Sequence, residues 1–162
     1  MTLDPHQLDR LRFLNRVIER ELKYLLTTDR RVFSEPFVPA RASGLPDHVE
    51  EAERVDAFVS RFGRLQDTLG DKLLPLYLHA LGERTGAAID NLDRAEKLGL
   101  IPSSDDWIAM RKLRNKMVHE YIEDPITLAD ALQAGHDYVP ILSKVVAYFL
   151  ADMQARGWTA SD

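Results

Sequence analysis

Apolar residues in this 162-residue chain recur at three- and four-residue steps over long stretches. There is no clean alternating run and no Asn-Gly or Asp-Gly hairpin pair. That periodicity places one side of each stretch on one face of a helix, so the chain must bury helical faces against each other. The expected fold class is all-α, an up-and-down bundle of about five helices.

The segments follow from their caps and breakers. Asp4 caps and Pro5 opens a first helix, with Leu8, Leu11, Ile18, Leu22 and Leu25 on one stripe to about Leu26. Residues 27–46 hold Pro36, Pro39, Pro46 and Gly44 and read as a long loop, in which Phe33, Phe37 and Val38 are expected to pack on something. A second helix runs from near Asp47 to near Gly82, kinked at Pro75. A third follows Thr85 as cap and ends at Leu98-Gly99. A fourth runs from Ser103-Ser104 through Trp107 to about Tyr121, with Asp105 and Asp106 favourably placed against its dipole. Asp124 caps and Pro125 opens a fifth, reaching Arg156. Residues 1–156 are therefore expected to form one helical domain, and 157–162 a frayed tail.

Composition excludes several classes of function. Apolar residues at 45% and charged residues at 29% are ordinary for a globular chain, not a disordered one. The absence of cysteine removes disulfides, thiolate zinc sites and cysteine nucleophiles, and fits a reducing compartment. The longest wholly apolar run, Val145–Ala151, is far short of the roughly 20 residues a spanning helix needs. Residues 1–7 carry no secretory pattern, so a cytoplasmic protein without membrane contact is expected. His6, His48 and His136 are scattered and His79 reads as a core or boundary residue, so no metal site is expected. P-loop, Gly-x-Gly-x-x-Gly and Gly-x-Ser-x-Gly motifs are absent, and no cofactor is expected.

The net charge of −5, from 26 acidic and 21 basic residues, is not that of a general nucleic-acid binder. Contact with nucleic acid would need a local patch. The densest is Arg111-Lys112-Leu113-Arg114-Asn115-Lys116, whose simplest reading is a solvated helix face. At 100° per residue, however, Arg114 falls among Trp107, Met110, Met117 and Tyr121, the face expected in the core. An arginine there must meet a carboxylate, a carbonyl, an aromatic face or a ligand anion. Asn115 and His119 are four apart and therefore neighbours on the flank. Arg114 and His119 lie about 140° apart, so one helix cannot easily aim both at one atom, whereas two copies about a two-fold axis could. Such a set could cleave RNA. Histidine moves a proton near neutral pH, arginine neutralises phosphate charge, asparagine holds the imidazole or substrate, and the 2′-hydroxyl is the nucleophile. On spacing alone a packing role for His119 competes with this. Asp67 could pair with Arg64 or orient a motif residue across the bundle, and Arg61 and Arg64 could add phosphate contacts or be solvated.

The run Arg114-Asn115-x-x-x-His119 resembles the signature of HEPN domains, and Tyr121 extends it to the pattern of HepT toxins of MNT–HEPN toxin–antitoxin systems. Arg61-Phe62-x-x-Leu65-Gln66-Asp67-x-Leu69, Ala95-Glu96-Lys97-Leu98-Gly99-Leu100-Ile101 and Trp107-Ile108-x-Met110 are similar to the corresponding helices of that family. The resemblance covers roughly residues 58–148. It implies a homodimeric, metal-independent endoribonuclease toxin leaving 2′,3′-cyclic phosphate ends. His119 would be the general acid/base, Arg114 the phosphate clamp and Asn115 a positioning group; apart from the resemblance, Arg111 and Asp67 are read from their own positions as supporting residues. It also implies a partner, an MNT-type nucleotidyltransferase antitoxin that silences the enzyme by AMPylating Tyr121. Tyr121 lies about 20° from Arg114 on the wheel, so an added phosphate would sit beside the arginine. The alternatives are a non-catalytic, substrate-binding adaptor of a small nucleotidyltransferase and a plain helical dimerisation module.

Overall fold

Four long amphipathic segments bury their stripes against one another in a computed structural model that describes residues 3–120 and 124–159. The helices are α1 (Pro5–Val32), α2 (Pro39–Gly44), α3 (Val49–Asp67), α4 (Leu74–Ala80), α5 (Ala88–Lys97), α6 (Ser104–Glu120) and α7 (Pro125–Ala155). No strand occurs among the described residues, and the chain is an all-α helical bundle. No helix among them is long and apolar enough to cross a membrane.

Helices α1, α3, α6 and α7 form a ring in which each packs on the next and α7 returns to α1. Leu11, Leu14, Ile18 and Leu25 of α1 meet Val55, Phe58, Phe62 and Leu65 of α3 in one core. Trp107, Met110 and Met117 of α6 and Leu132, Leu142, Val146 and Phe149 of α7 complete it. Burying each such side chain is worth roughly 1.5–3 kcal/mol, which outweighs the small propensity differences between residues. Tertiary burial therefore decides where these helices sit. α5 packs on α6 and α4, and α2 lies against α7.

Most predicted caps are in place. Asp4 Oδ1 accepts from the His6 N–H at 3.2 Å and Asp124 Oδ1 from the Ile126 N–H at 3.1 Å. Ser103 Oγ accepts from the Asp106 N–H at 3.1 Å, opening α6. Thr85 does not cap α5. The helix starts at Ala88, and its approach is held by Asn91, which accepts from the Gly86 N–H at 2.9 Å and donates to the Gly86 carbonyl at 3.2 Å. α5 ends where Gly99 turns left-handed at φ 77°, so that the Leu100 N–H reaches the Ala95 carbonyl at 2.8 Å.

Pro75 is the second residue of α4, directly after a change in helix type. A π-helical turn over Thr68–Leu73 joins α3 to α4, and the Leu74 N–H reaches back five residues to the Leu69 carbonyl. Proline has no N–H to donate and is tolerated in the first turn of a helix, which is where Pro75 stands in α4.

The predicted 27–46 loop is corrected. α1 continues to Val32, α2 and a 3₁₀ turn at Leu45–Asp47 fill most of the remainder, and the irregular link is residues 33–38. Arg41 explains the shape: it donates to the Val32 and Glu35 carbonyls at 2.8 Å each and pairs with Glu51 at 2.5 Å. Phe33 and Phe37 pack inward and Val38 stays exposed. His79 is exposed rather than a core or boundary residue. The tail also begins in order: Gly157 turns at φ 74°, the Trp158 N–H bonds the Met153 carbonyl at 2.8 Å, and the indole sits 5.5 Å from the Tyr77 ring.

Candidate functional site

The motif lies in the last two turns of α6, where that helix crosses α3. Arg114 turns towards α3, and its Nη1 donates to Asp67 Oδ1 at 2.6 Å. Three residues earlier, Arg111 pairs with Asp71 of the π-helical turn. Two glycines make room for these side chains. A methyl group at Gly63 would stand 2.9 Å from Arg114 Cδ, and one at Gly70 would stand 2.9 Å from Trp107 Nε1 and 3.2 Å from Arg111 Nη2. Gly63 faces Arg114 and Gly70 faces Trp107, a step of seven residues on both helices in opposite directions. The two helices therefore meet in antiparallel register, with a glycine beneath each large side chain.

The basic run thus divides. Arg114 is tied to α3 and Arg111 to the π-helical turn that follows it, while Lys112 and Lys116 are exposed. The wheel placed Arg114 where it had to find a partner, and the partner is the Asp67 carboxylate. The pair is only partly shielded, with the side chains 36% and 37% exposed. One guanidinium nitrogen serves Asp67, and the fork keeps further donors for a second acceptor.

Asn115 and His119 lie on the exposed flank, and their side chains make no hydrogen bond or ion pair with the described residues. Arg114 and His119 are about 7.5 Å apart along the helix axis and about 140° apart around it. One copy of the chain does not bring them together. Val118, beside His119, is 57% exposed. Tyr121 lies outside the described residues.

Two carboxylates near this region titrate away from their ordinary values. Burial pushes the Glu21 carboxyl up, although a hydrogen bond from the Thr68 hydroxyl at 3.1 Å and the positive charge of Arg64 act against it. At the start of α7, hydrogen bonds from the Thr127 hydroxyl, at 2.7 Å, and from backbone N–H groups hold Asp124 below its ordinary value.

Sequence reasoning did not name Gly63, Gly70 or Asp71. The available signal was the one-turn spacing of Asp67 and Asp71, which matches a two-rung pairing with Arg111 and Arg114. No group of three or more potential metal ligands occurs among the described residues. In comparisons with protein-family models, curated proteins and solved structures, nothing matches this chain.

Proposed function

We propose that this chain is a metal-independent endoribonuclease toxin acting as a homodimer, with a nucleotidyltransferase antitoxin as its partner. His119 is the general acid/base, Arg114 the phosphate clamp and Asn115 the positioning group. Asp67 and Arg111 are supporting residues, and Tyr121 is the acceptor of the silencing AMP. The observation that carries the reading is the division of labour on α6. Arg114 is fixed by Asp67 and the space at Gly63, yet retains free donors. His119 is exposed and unpartnered, so the fold gives it no packing duty. The HEPN-like motif supplies the chemistry that these two residues fit.

In this mechanism the imidazole of His119 takes the 2′-hydroxyl proton, and the alkoxide attacks the adjacent phosphorus. The 5′-oxygen leaves with a proton from the second copy's imidazole, giving a 2′,3′-cyclic phosphate. Arg114 neutralises charge on the non-bridging oxygens. A second copy closes the 140° gap by placing the two flanks on one cleft, and Val118 is the kind of exposed apolar residue such a contact covers.

Expression in a host lacking the partner tests this. The wild-type chain should arrest growth, His119→Ala should relieve the arrest at equal soluble level, and co-expressed antitoxin should add one AMP mass at Tyr121. Arrest that persists in the folded His119→Ala variant removes the reading, and absence of arrest by the soluble, unmodified wild type favours the adaptor.

A further inference from the structure

Two hollows open along the seam between α1 and α3, on the other side of α3 from the α6 contact. One, of about 260 Å³, is lined by Phe13, Arg16, Arg20, Glu21, Tyr24 and Arg64. The other, of about 440 Å³, is lined by Thr28, Arg31, Arg54 and Arg61 together with Glu50 and Glu53. Arg61 joins them. Its guanidinium lies 5.6 Å over the Tyr24 ring and donates to the Tyr24 carbonyl, at 3.2 Å, and to the Thr28 hydroxyl.

The seam carries six arginines against three glutamates, in a chain whose overall charge is −5. Glu50 is tied loosely to Arg54 at 4.0 Å, and Glu21 accepts from Thr68. Arg16, Arg20 and Arg31 pair with no carboxylate among the described residues. Arg16 and Arg20 stand one turn apart, about 6 Å along α1, and Arg31 lies about 17 Å beyond Arg20. Phe13 and Tyr24 are 46% and 48% exposed, and each has one arginine over its ring, Arg10 at 5.3 Å and Arg61 at 5.6 Å. Cations repeated along a groove match the repeated phosphates of a polyanion, and exposed ring faces between them match its bases. An acidic peptide would satisfy the arginines but has no bases to stack on Tyr24 and Phe13.

We propose that the α1–α3 seam is a binding groove for single-stranded RNA, with Arg16, Arg20 and Arg31 on phosphates and Tyr24 and Phe13 stacking bases. The choice of RNA over another polyanion rests on the ribonuclease reading. The groove would hold the strand on one side of α3 while the α6 motif acts from the other.

Fluorescence anisotropy of the full chain with a labelled single-stranded RNA of about 12 nucleotides, in EDTA, tests this in a His119→Ala background. Arg16→Gln/Arg20→Gln should weaken binding at least about tenfold and reduce the slope of log Kd against log salt by about 1.4, the share of two phosphate contacts. Tyr24→Ala should weaken binding and leave the slope unchanged. Arg31→Gln is an independent probe should the double substitution unfold the chain. The proposal is overturned by absence of binding at low salt, by unchanged affinity in the folded arginine variants, or by equal displacement with a polyglutamate peptide, which would make the seam a docking site for an acidic protein segment. Seam-dependent binding without cleavage by the wild-type chain would retain this groove and remove the ribonuclease reading. Cleavage with seam-independent binding would do the reverse.

Discussion

Gly63 of α3 and Arg114 of α6 share one volume: the arginine stem lies where any side chain at position 63 would have to go. Gly63→Ala gains roughly 0.5–1 kcal/mol of helix preference, but overpacking costs about 1–3 kcal/mol. The net change should be destabilising. In an Arg114→Ala background the obstruction is gone, and the same substitution should stabilise. Urea denaturation of the four chains measures this, and one sign in both backgrounds would contradict the interlock.

Asp67→Asn should separate stability from activity. The Asp67–Arg114 pair is more than a third exposed, so its loss should cost no more than about 1 kcal/mol. Arg114 would lose its orienting carboxylate, and the RNA cleavage rate should fall at least about tenfold. Thermal melting and single-turnover kinetics on the same samples check this. A rate that falls only in proportion to the folded fraction would make the pair purely structural.

Asp124 links the start of α7 to pH. Hydrogen bonds, first from the Thr127 hydroxyl, lower its folded-state value below that of the unfolded chain. Its contribution is therefore present above the ordinary aspartate range and is lost as pH falls through the depressed value. Asp124→Ala should lower Tm at neutral pH, and the deficit should shrink as the wild type protonates in acid. A deficit independent of pH would remove the carboxylate from the explanation.

Glu21 works in the opposite direction. Burial raises its folded-state value, so its contribution is most favourable below the unfolded value and is lost as pH rises through the raised one. Glu21→Gln keeps an acceptor for Thr68 and removes the buried charge. It should raise Tm at neutral pH, with the gain disappearing as pH is lowered through the ordinary glutamate range. Equal Tm values at neutral pH would mean that Glu21 is better solvated than its position between α1 and α3 implies.

The helical periods were legible because each long stripe is buried on one side, as Leu11, Leu14, Ile18 and Leu25 are. The end of α1 was not, because residues 27–31 are all polar. Thr28 and Asp29 are nevertheless buried, since Thr28 bonds the Tyr24 carbonyl at 3.1 Å and Asp29 pairs with His136 Nδ1 at 2.7 Å. His136 also stacks 4.4 Å from the Phe33 ring, a contact across more than a hundred residues that no local pattern encodes. Within the site, the wheel showed that Arg114 needed a partner. Choosing Asp67, 47 residues away, required the helix register, which the glycine spacing sets. The partner-free flank of Asn115 and His119 was readable as a flank, but its exposure was not, because packing neighbours decide that.

Cleavage of end-labelled single-stranded RNA in EDTA, by wild-type chain whose intact mass shows no AMP on Tyr121, tests the central claim most directly. The account predicts cutting by the wild type, 2′,3′-cyclic phosphate ends, and no cutting by a His119→Ala variant with an unchanged circular dichroism spectrum. Intact RNA after incubation with the unmodified wild type, or equal cutting by the variant, would contradict it.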